Sequence, residues 1–161
     1  MAVMGMRSKW STAMSKVCAF FGHREIWSDI SEPLEQAIRT AIADGTTVFW
    51  VGGYGAFDSY ATGCVRRLKK EFPQISLHLI LAYLPTKKDP LADTYDSTIY
   101  PEGLELVPKR FAISKRNQWI VSNCDMVICY IGHCYGGAYS AYALARKSKK
   151  KIINLGCLET Q

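Results

Sequence analysis

The segment Met126–Tyr142 reads Met-Val-Ile-Cys-Tyr-Ile-Gly-His-Cys-Tyr-Gly-Gly-Ala-Tyr-Ser-Ala-Tyr. Its first six residues form an apolar run with the length of a buried strand, which ends at Gly132. Gly136 and Gly137 then lead into a stretch rich in alanine and tyrosine, which predicts a helix. A strand, a glycine turn and a helix start together present backbone N–H groups and a positive helix end to an anion.

A second copy of this arrangement lies upstream at Val48–Asp58, with the sequence Val-Phe-Trp-Val-Gly-Gly-Tyr-Gly-Ala-Phe-Asp. The glycines of Gly52–Gly55 allow positive φ and a close approach of the backbone to a ligand. A purely structural strand-to-helix turn favours glycine too. Asp58 either caps the following helix, which is the favoured role, or binds a ribose hydroxyl. Two such phosphate-binding loops in one small domain indicate a phosphorylated ligand.

The composition is that of one soluble globular domain. The chain has 161 residues, of which 48% are hydrophobic and 21% charged, enough for a substantial core. We expect a loose arm at residues 1–16 and a single nucleotide-binding domain at residues 17–161. No apolar run reaches the roughly 18 residues of a membrane span, and residues 1–16 lack a secretory signal pattern. A cytoplasmic location without a membrane partner is therefore expected.

The six cysteines include no Cys-x-x-Cys pair, and most lie within apolar strand or helix patterns. Free cysteine behaves as a small core residue in such positions, so buried, reduced thiols are predicted over disulfides or a zinc site. No cofactor and no metal are expected.

Strands and helices alternate along the chain. Strands are predicted at residues 17–21, 47–51, 76–81, 126–131 and 151–155, with a first helix capped by Ser31. Residues 84–108 are irregular and predict a functional lid or a disordered loop. This alternation predicts a Rossmann-like three-layer α/β sandwich with a mainly parallel sheet of five strands or slightly more. Ligands of such sheets bind beyond the carboxyl ends of the strands.

Gly22-His23-Arg24 directly follows the first predicted strand and so lies at such an end. The arginine fork suits bidentate phosphate binding, although a surface arginine beside Glu25 is the plainer interpretation. His23 is either an acid/base group or a simple hydrogen-bond donor.

The net charge of +6 is concentrated in three basic clusters, at residues 66–70, 109–116 and 146–151. The outer two end predicted helices, where cations complement the dipole. The middle cluster lies at a predicted helix start, against the dipole, which suggests an anion nearby. Its candidate ligand-binding residues are Arg110, Lys115, Arg116 and Asn117. A solvated basic face and a nucleic-acid surface are the alternatives.

Five motifs in this order resemble the SLOG superfamily of Rossmannoid domains: Cys18–Arg24, Val51–Asp58, Tyr100–Leu104, Lys109–Asn117 and Gly136–Tyr139. That superfamily joins the DNA-processing proteins and the "lonely guy" phosphoribohydrolases, and the chain is most similar to its YpsA-like branch. The resemblance spans residues 17–155. It implies a Rossmann-like fold and a nucleotide or nucleotide derivative bound across the glycine turns.

The chain departs from the phosphoribohydrolase branch at one point. That branch carries Pro-Gly-Gly-x-Gly-Thr-x-x-Glu after the fourth strand, and its glutamate takes part in cleaving the N-glycosidic bond. Here residues 132–140 contain no carboxylate. Asp58 and Glu102 are the nearest substitutes, which argues against an enzyme.

The sequence therefore predicts the binding or sensing of a nucleotide-derived small molecule without hydrolysis. The alternatives are an N-glycosidic-bond hydrolase and single-stranded nucleic-acid binding, and a homodimer is suggested by analogy alone. Tyr54 and Tyr139 are candidates for stacking on a base. The predicted ligand-binding residues are Gly22, His23, Arg24, Gly52, Gly53, Tyr54, Gly55, Asp58, Arg110, Lys115, Arg116, Asn117, Gly132, Gly136, Gly137 and Tyr139.

Overall fold

The computed structural model describes residues 2–4, 15–85, 87 and 94–158. Strands and helices alternate along these residues. The elements are β1 (Ala2–Met4), β2 (Lys16–Gly22), α1 (Ser31–Ala43), β3 (Thr46–Val51), α2 (Gly55–Lys69), β4 (Ser76–Ile80), β5 (Ser97–Pro101), α3 (Ala112–Asn123), β6 (Met126–Tyr130), α4 (Gly137–Lys147) and β7 (Lys151–Asn154). Two 3-10 turns, Leu104–Leu106 and Lys109–Phe111, lead from β5 into α3.

The strands form one seven-stranded sheet in the order β1-β5-β4-β3-β2-β6-β7, and every neighbouring pair is parallel. Successive side chains of a strand point to opposite faces, and β2 shows the result. Cys18 and Phe20 pack with α1 and α2, whereas Val17, Ala19 and Phe21 pack with α3 and α4. The predicted Rossmann-like three-layer sandwich is confirmed.

Two strands, β1 and β5, were not predicted from the sequence pattern. The expected loose arm at residues 1–16 instead contributes β1 and the first residue of β2, while its residues 5–14 lie outside the described residues. The irregular region 84–108 contains β5, which pairs with β4 from His78 to Ile80. Residues 86 and 88–93 of that region lie outside the described residues.

The first helix begins at the predicted place with a different cap. Ser31 is the first helical residue, and Ile30 holds the N-cap position. The Oδ1 atom of Asp29 accepts hydrogen bonds from the Ser31 backbone N–H at 2.9 Å and from its hydroxyl at 2.6 Å. The aspartate two residues upstream therefore supplies the acceptor that was expected of the serine.

All six cysteines are free thiols, and the predicted burial is confirmed for four of them: Cys18, Cys64, Cys124 and Cys129. Cys134 and Cys157 are exposed. None of the described helices is both long and apolar enough to cross a membrane.

Candidate functional site

A cavity of about 730 Å³ opens at the carboxyl ends of β2, β3 and β6. Strand β2 lies between β3 and β6 in the sheet, so the strand order reverses beside it. Such a switch point leaves a crevice between loops that diverge to opposite faces of the sheet. Eleven of the predicted ligand-binding residues line the cavity: Gly22, His23, Arg24, Gly52, Tyr54, Asp58, Arg116, Asn117, Gly132, Gly136 and Gly137.

The other five predicted residues, Gly53, Gly55, Arg110, Lys115 and Tyr139, are not among the lining residues, and Glu102 is not either. The guanidinium of Arg110 lies over the Phe111 ring at 4.8 Å. Tyr139 packs near Tyr142, with 6.0 Å between ring centroids. The middle basic cluster thus does not act as one unit, because a single member, Arg116, turns into the cavity.

The cavity is also lined by residues that were not among the predicted ligand-binding residues. Glu25, Tyr83, Tyr130 and His133 line it, as do the aromatic residues Trp27 and Tyr135. Trp27 is 91% exposed and Tyr135 is 70% exposed. A tryptophan in a polar loop directly after a strand is a signal that could have drawn attention to this rim.

The first glycine turn, Gly52–Gly55, joins β3 to α2 and encloses a carboxylate from its own helix. Asp58 lies in the first turn of α2, where Tyr54 holds the N-cap position. The Oδ2 atom of Asp58 accepts the Tyr54 backbone N–H at 3.0 Å, and the nearby backbone of Gly52 and Gly53 also favours the charged form of this carboxyl. The turn expected to cradle a phosphate therefore already holds an internal anion.

Burial has a strong effect on Asp58, which is 9% exposed. Removal from water raises the pKa of Asp58 to about 6, against the opposing effects of the turn amides and the charge of Arg116. The Asp58 carboxylate is thus largely ionised at neutral pH and held in place by the backbone.

Arg116 anchors the carboxyl ends of two strands to α3. Its Nη1 donates to the carbonyls of Gly52 at 3.2 Å and Ile80 at 3.4 Å. Its Nε and Nη2 donate to the Oδ1 atom of Asn117 at 3.2 and 3.1 Å. A Cβ at position 52 would lie 2.9 Å from this guanidinium, so glycine makes room for it. Burial lowers the pKa of Arg116 from its ordinary value.

His23 connects the loop after β2 to the loop after β6. The Gly132 backbone N–H donates to its Nε2 atom at 2.9 Å. Because this nitrogen accepts, the proton of the neutral ring is on Nδ1. The ring stacks on His133 with 3.6 Å between centroids, and His133 stacks on Tyr135 at 3.8 Å. Burial and the neighbouring His133 lower the pKa of His23, so the ring is neutral at pH 7.

The second glycine turn, Gly132–Gly137, joins β6 to α4 and contains no such internal anion. Helix α4 has no acidic residue in its first turn, and no side chain of the described residues caps it. Gly136 has a φ of 92°, and a Cβ at position 136 or 137 would meet no atom within 4 Å. The start of α4 therefore faces open space at the cavity with its backbone N–H groups available.

Comparisons with known proteins match the chain at the level of the fold. No protein-family model and no curated protein matches it. DNA processing protein A from Streptococcus pneumoniae superposes with a TM-score of 0.63 at 15% identity, over 86% of this chain and 50% of that chain. A structure of DNA processing protein A from Helicobacter pylori, described as giving insight into its single-stranded DNA binding mode, superposes with a TM-score of 0.61 at 17% identity. The match covers 86% of this chain and 64% of that chain. TM1055, a structural genomics target, superposes with a TM-score of 0.56 at 18% identity, over 85% of this chain and 72% of that chain.

The TM-scores show a shared fold, and at these identities the likeness extends to the fold alone. The chain spans half the length of the Streptococcus pneumoniae protein, and under two thirds of the Helicobacter pylori one. The Rossmannoid fold implied by the resemblance to the SLOG superfamily is confirmed. Membership of that superfamily and placement in its YpsA-like branch stay predictions.

Proposed function

We propose that this protein binds a phosphorylated, nucleotide-derived small molecule at the switch-point cavity and does not hydrolyse it. One observation carries the proposal: the cavity combines an uncapped helix start at the second glycine turn with an arginine, Arg24, that has no ion-pair partner among the described residues. Backbone N–H groups at a helix start and a guanidinium fork are both well suited to hold phosphate.

The charges within the cavity favour the second glycine turn over the first as the place where a phosphate binds. Asp58 occupies the amides of the first turn and is ionised at neutral pH, so a phosphate there would meet a like charge. Arg116 is bonded to neutral oxygens of the protein through four of its N–H groups. Arg24 and the start of α4 thus supply the attraction for an anion.

The rest of the cavity suits a flat, partly apolar group such as a base. Phe21, Ile120 and Tyr130 line its inner part, and Trp27, Tyr54 and Tyr135 line its rim. A volume of about 730 Å³ falls within the range of roughly 300–1,000 Å³ typical of small-molecule sites, which accommodates a nucleotide.

Titration calorimetry with AMP, IMP and inorganic phosphate tests this proposal. We expect a nucleoside monophosphate to bind with 1:1 stoichiometry and to raise the melting temperature. The variant Arg24→Gln should weaken that binding by about tenfold to a hundredfold, because it removes one charge-assisted contact worth roughly 1.5–3 kcal/mol. Lys115→Gln is the matched control, since it removes an equal charge from outside the cavity. Equal loss in both variants would contradict a specific phosphate contact by Arg24.

A hydrolase of the N-glycosidic bond is the second candidate, with Asp58 or Glu102 as its carboxylate. The geometry does not favour it, because turn amides occupy Asp58 and Glu102 is not among the residues that line the cavity. Free base released from AMP or IMP on incubation with the protein would establish hydrolysis, and loss of the release in Asp58→Asn or in Glu102→Gln would identify the carboxylate.

Single-stranded nucleic-acid binding is favoured by a separate observation, the exposed aromatic rim of Trp27, Tyr54 and Tyr135. Aromatic side chains of this kind stack on successive bases. The Helicobacter pylori relative is described by its single-stranded DNA binding mode. Binding of an oligonucleotide would weaken steeply with salt. A nucleotide-only site predicts no affinity for a dT10 oligonucleotide at 0.2 M salt while AMP or IMP still binds. A homodimer stays a proposal by analogy, which sedimentation measurements would test.

A further inference from the structure

Arg116 and Asn117 are adjacent polar residues of α3 that both line the cavity and are both more than nine-tenths buried, at 6% and 8% exposure. Arginine has N–H donors and no acceptor. The atom of Asn117 that receives its Nε and Nη2 groups must therefore be the carbonyl oxygen, Oδ1, at 3.2 and 3.1 Å. The arginine thereby fixes which way the asparagine amide faces.

The Asn117 amide nitrogen is consequently turned away from Arg116. It donates to none of the residues that the structure describes, and the side chain borders the cavity. Two N–H donors thus remain for a bound molecule, while the matching acceptor is already used. A free asparagine amide offers one donor side and one acceptor side, whereas Asn117 offers a donor side alone.

The surroundings of Asn117 suit a base better than a phosphate. Its neighbours along the cavity wall of α3 are Ile113 and Ile120, and Phe21 lies at the same inner part of the site. Arg116 has given four N–H groups to protein oxygens, and the anion-binding groups belong to the loops after β2 and β6. The second glycine turn and α3 line the same cavity, so a nucleotide held by its phosphate at that turn can place its base against α3.

We infer that Asn117 is a specificity residue that selects a purine with an acceptor edge, a 6-oxopurine, over a 6-aminopurine. An asparagine with both amide atoms free pairs with the N6 amino group and N7 of adenine. With its oxygen held by Arg116, Asn117 faces the adenine amino group with a second donor. The 6-oxopurine edge presents O6 and N7, which are both acceptors. Arg116 is then a positioning residue, and the inference rests on the proposed nucleotide site.

IMP and AMP provide the test, because they differ at the purine 6-position, oxo in one and amino in the other. We expect wild-type protein to bind IMP at least tenfold more tightly than AMP in titration calorimetry. Asn117→Asp should reverse the preference. Its first carboxylate oxygen keeps the bonds from Arg116, and its second presents an acceptor that suits the amino group of AMP. Arg116→Lys removes the fork and should bring the ratio of the two affinities towards one.

Gln118→Glu is the matched control, since it makes the same amide-to-carboxylate change at the neighbouring exposed position of α3. It should leave the ratio of affinities at the wild-type value. Asn117→Asp should also melt near the wild-type temperature, because the contact with Arg116 persists, whereas Asn117→Leu should melt lower. A lower melting temperature for Asn117→Asp than for Asn117→Leu would overturn the assigned amide orientation.

The outcomes separate this inference from the proposed function. Binding of both nucleotides with equal affinity, or an unchanged ratio in Asn117→Asp, would overturn the role of Asn117 and leave the nucleotide site standing. Absence of binding by AMP, IMP and inorganic phosphate would overturn the proposed function, and this inference with it.

Discussion

The two glycine turns at the carboxyl edge of the sheet look alike in sequence and differ in how they treat charge. The first turn, Gly52–Gly55, wraps around the Asp58 carboxylate of its own helix. The second turn, Gly132–Gly137, leads into a helix that has no carboxylate in its first turn and no side-chain cap from the part of the chain that the structure describes. The first turn therefore holds a carboxylate of the protein itself, whereas the backbone N–H groups of the second turn are left for the anion that we propose. A glycine-rich turn shows where the backbone can approach an anion. Whether its N–H groups are available depends on the side chains in the first turn of the following helix, as Asp58 shows.

The largest expected difference between the turns is steric. Gly55 and Gly136 both have positive φ, at 88° and 92°. A Cβ at position 55 would lie 2.8 Å from the Arg24 Cα atom, whereas position 136 is open. We expect Gly55→Ala to cost about 4 kcal/mol of unfolding free energy, from strain plus overpacking, and Gly136→Ala about 1–2 kcal/mol from strain alone. Urea denaturation of the two variants measures this difference. Equal costs would show that the first turn is not packed more tightly.

The next effect concerns the pH dependence of the first turn. The pKa of Asp58 is raised to about 6 in the folded protein, above its ordinary value of 3.8, so the folded state holds this proton more tightly. Its contribution to stability is therefore present below pH 4 and is lost as the pH rises through 6. Asp58→Asn, which cannot ionise, should gain stability relative to wild type by about 2.4 kcal/mol between pH 4 and pH 7.

Denaturation of both proteins at the two pH values measures this effect. Ser59→Asn, at an exposed position of the same helix turn, is the control and should follow the wild-type curve. A constant difference between Asp58→Asn and wild type would mean that burial does not shift this carboxyl.

The occupancy of the second turn can be changed by giving it a carboxylate of its own. Ala138 lies in the first turn of α4 and lines the cavity. We expect Ala138→Asp to weaken binding of IMP at least about tenfold, equivalent to about 1.4 kcal/mol, because the new carboxylate competes for the helix amides. Ala143→Asp, exposed in the middle of the same helix, should bind as wild type does. Unchanged affinity in Ala138→Asp would place the phosphate elsewhere.

The smallest expected effect is the change in stability that acid causes at the second turn. Its sign should be opposite to that of the change at the first turn. The pKa of His23 is lowered from 6.5, so its contribution to stability is present above pH 6.5 and is lost as the pH falls below it. Protonation of Nε2 also ends its bond from the Gly132 N–H. The Gly132 amide resonance should shift below pH 6.5, and His23→Gln should remove that shift. A pH-independent Gly132 resonance in wild type would contradict the bond.

The sequence pattern was sufficient for most of the fold, and most of the residues that it singled out line one cavity at the switch point. Apolar runs that alternate with amphipathic stretches predicted five of the strands, because the apolar character of a segment and the spacing of its apolar residues are local properties. Strand β5 was missed, because Ser97–Pro101 ends in proline and follows an irregular stretch. Its pairing with β4 depends on the tertiary fold.

The roles of individual site residues were harder to predict for a physical reason. That Asp58 binds the preceding turn depends on the path of the backbone, and the same residue pattern is compatible with a helix cap or a ribose contact. The burial of Arg116 depends on the carbonyls of Gly52 and Ile80, which lie 64 and 36 residues away in the chain. Exposed Arg110 and buried Arg116 belong to one basic run, and only the fold distinguishes them.

The two exposed thiols have a practical consequence for studying the site. Cys134 lies within the second glycine turn, between two residues that line the cavity, and the four buried cysteines are protected from reagents. In a Cys157→Ser background, a thiol-reactive fluorophore would therefore label Cys134 alone. The protein thus contains a natural attachment point for an optical sensor, whose emission would report arrival of a ligand at α4.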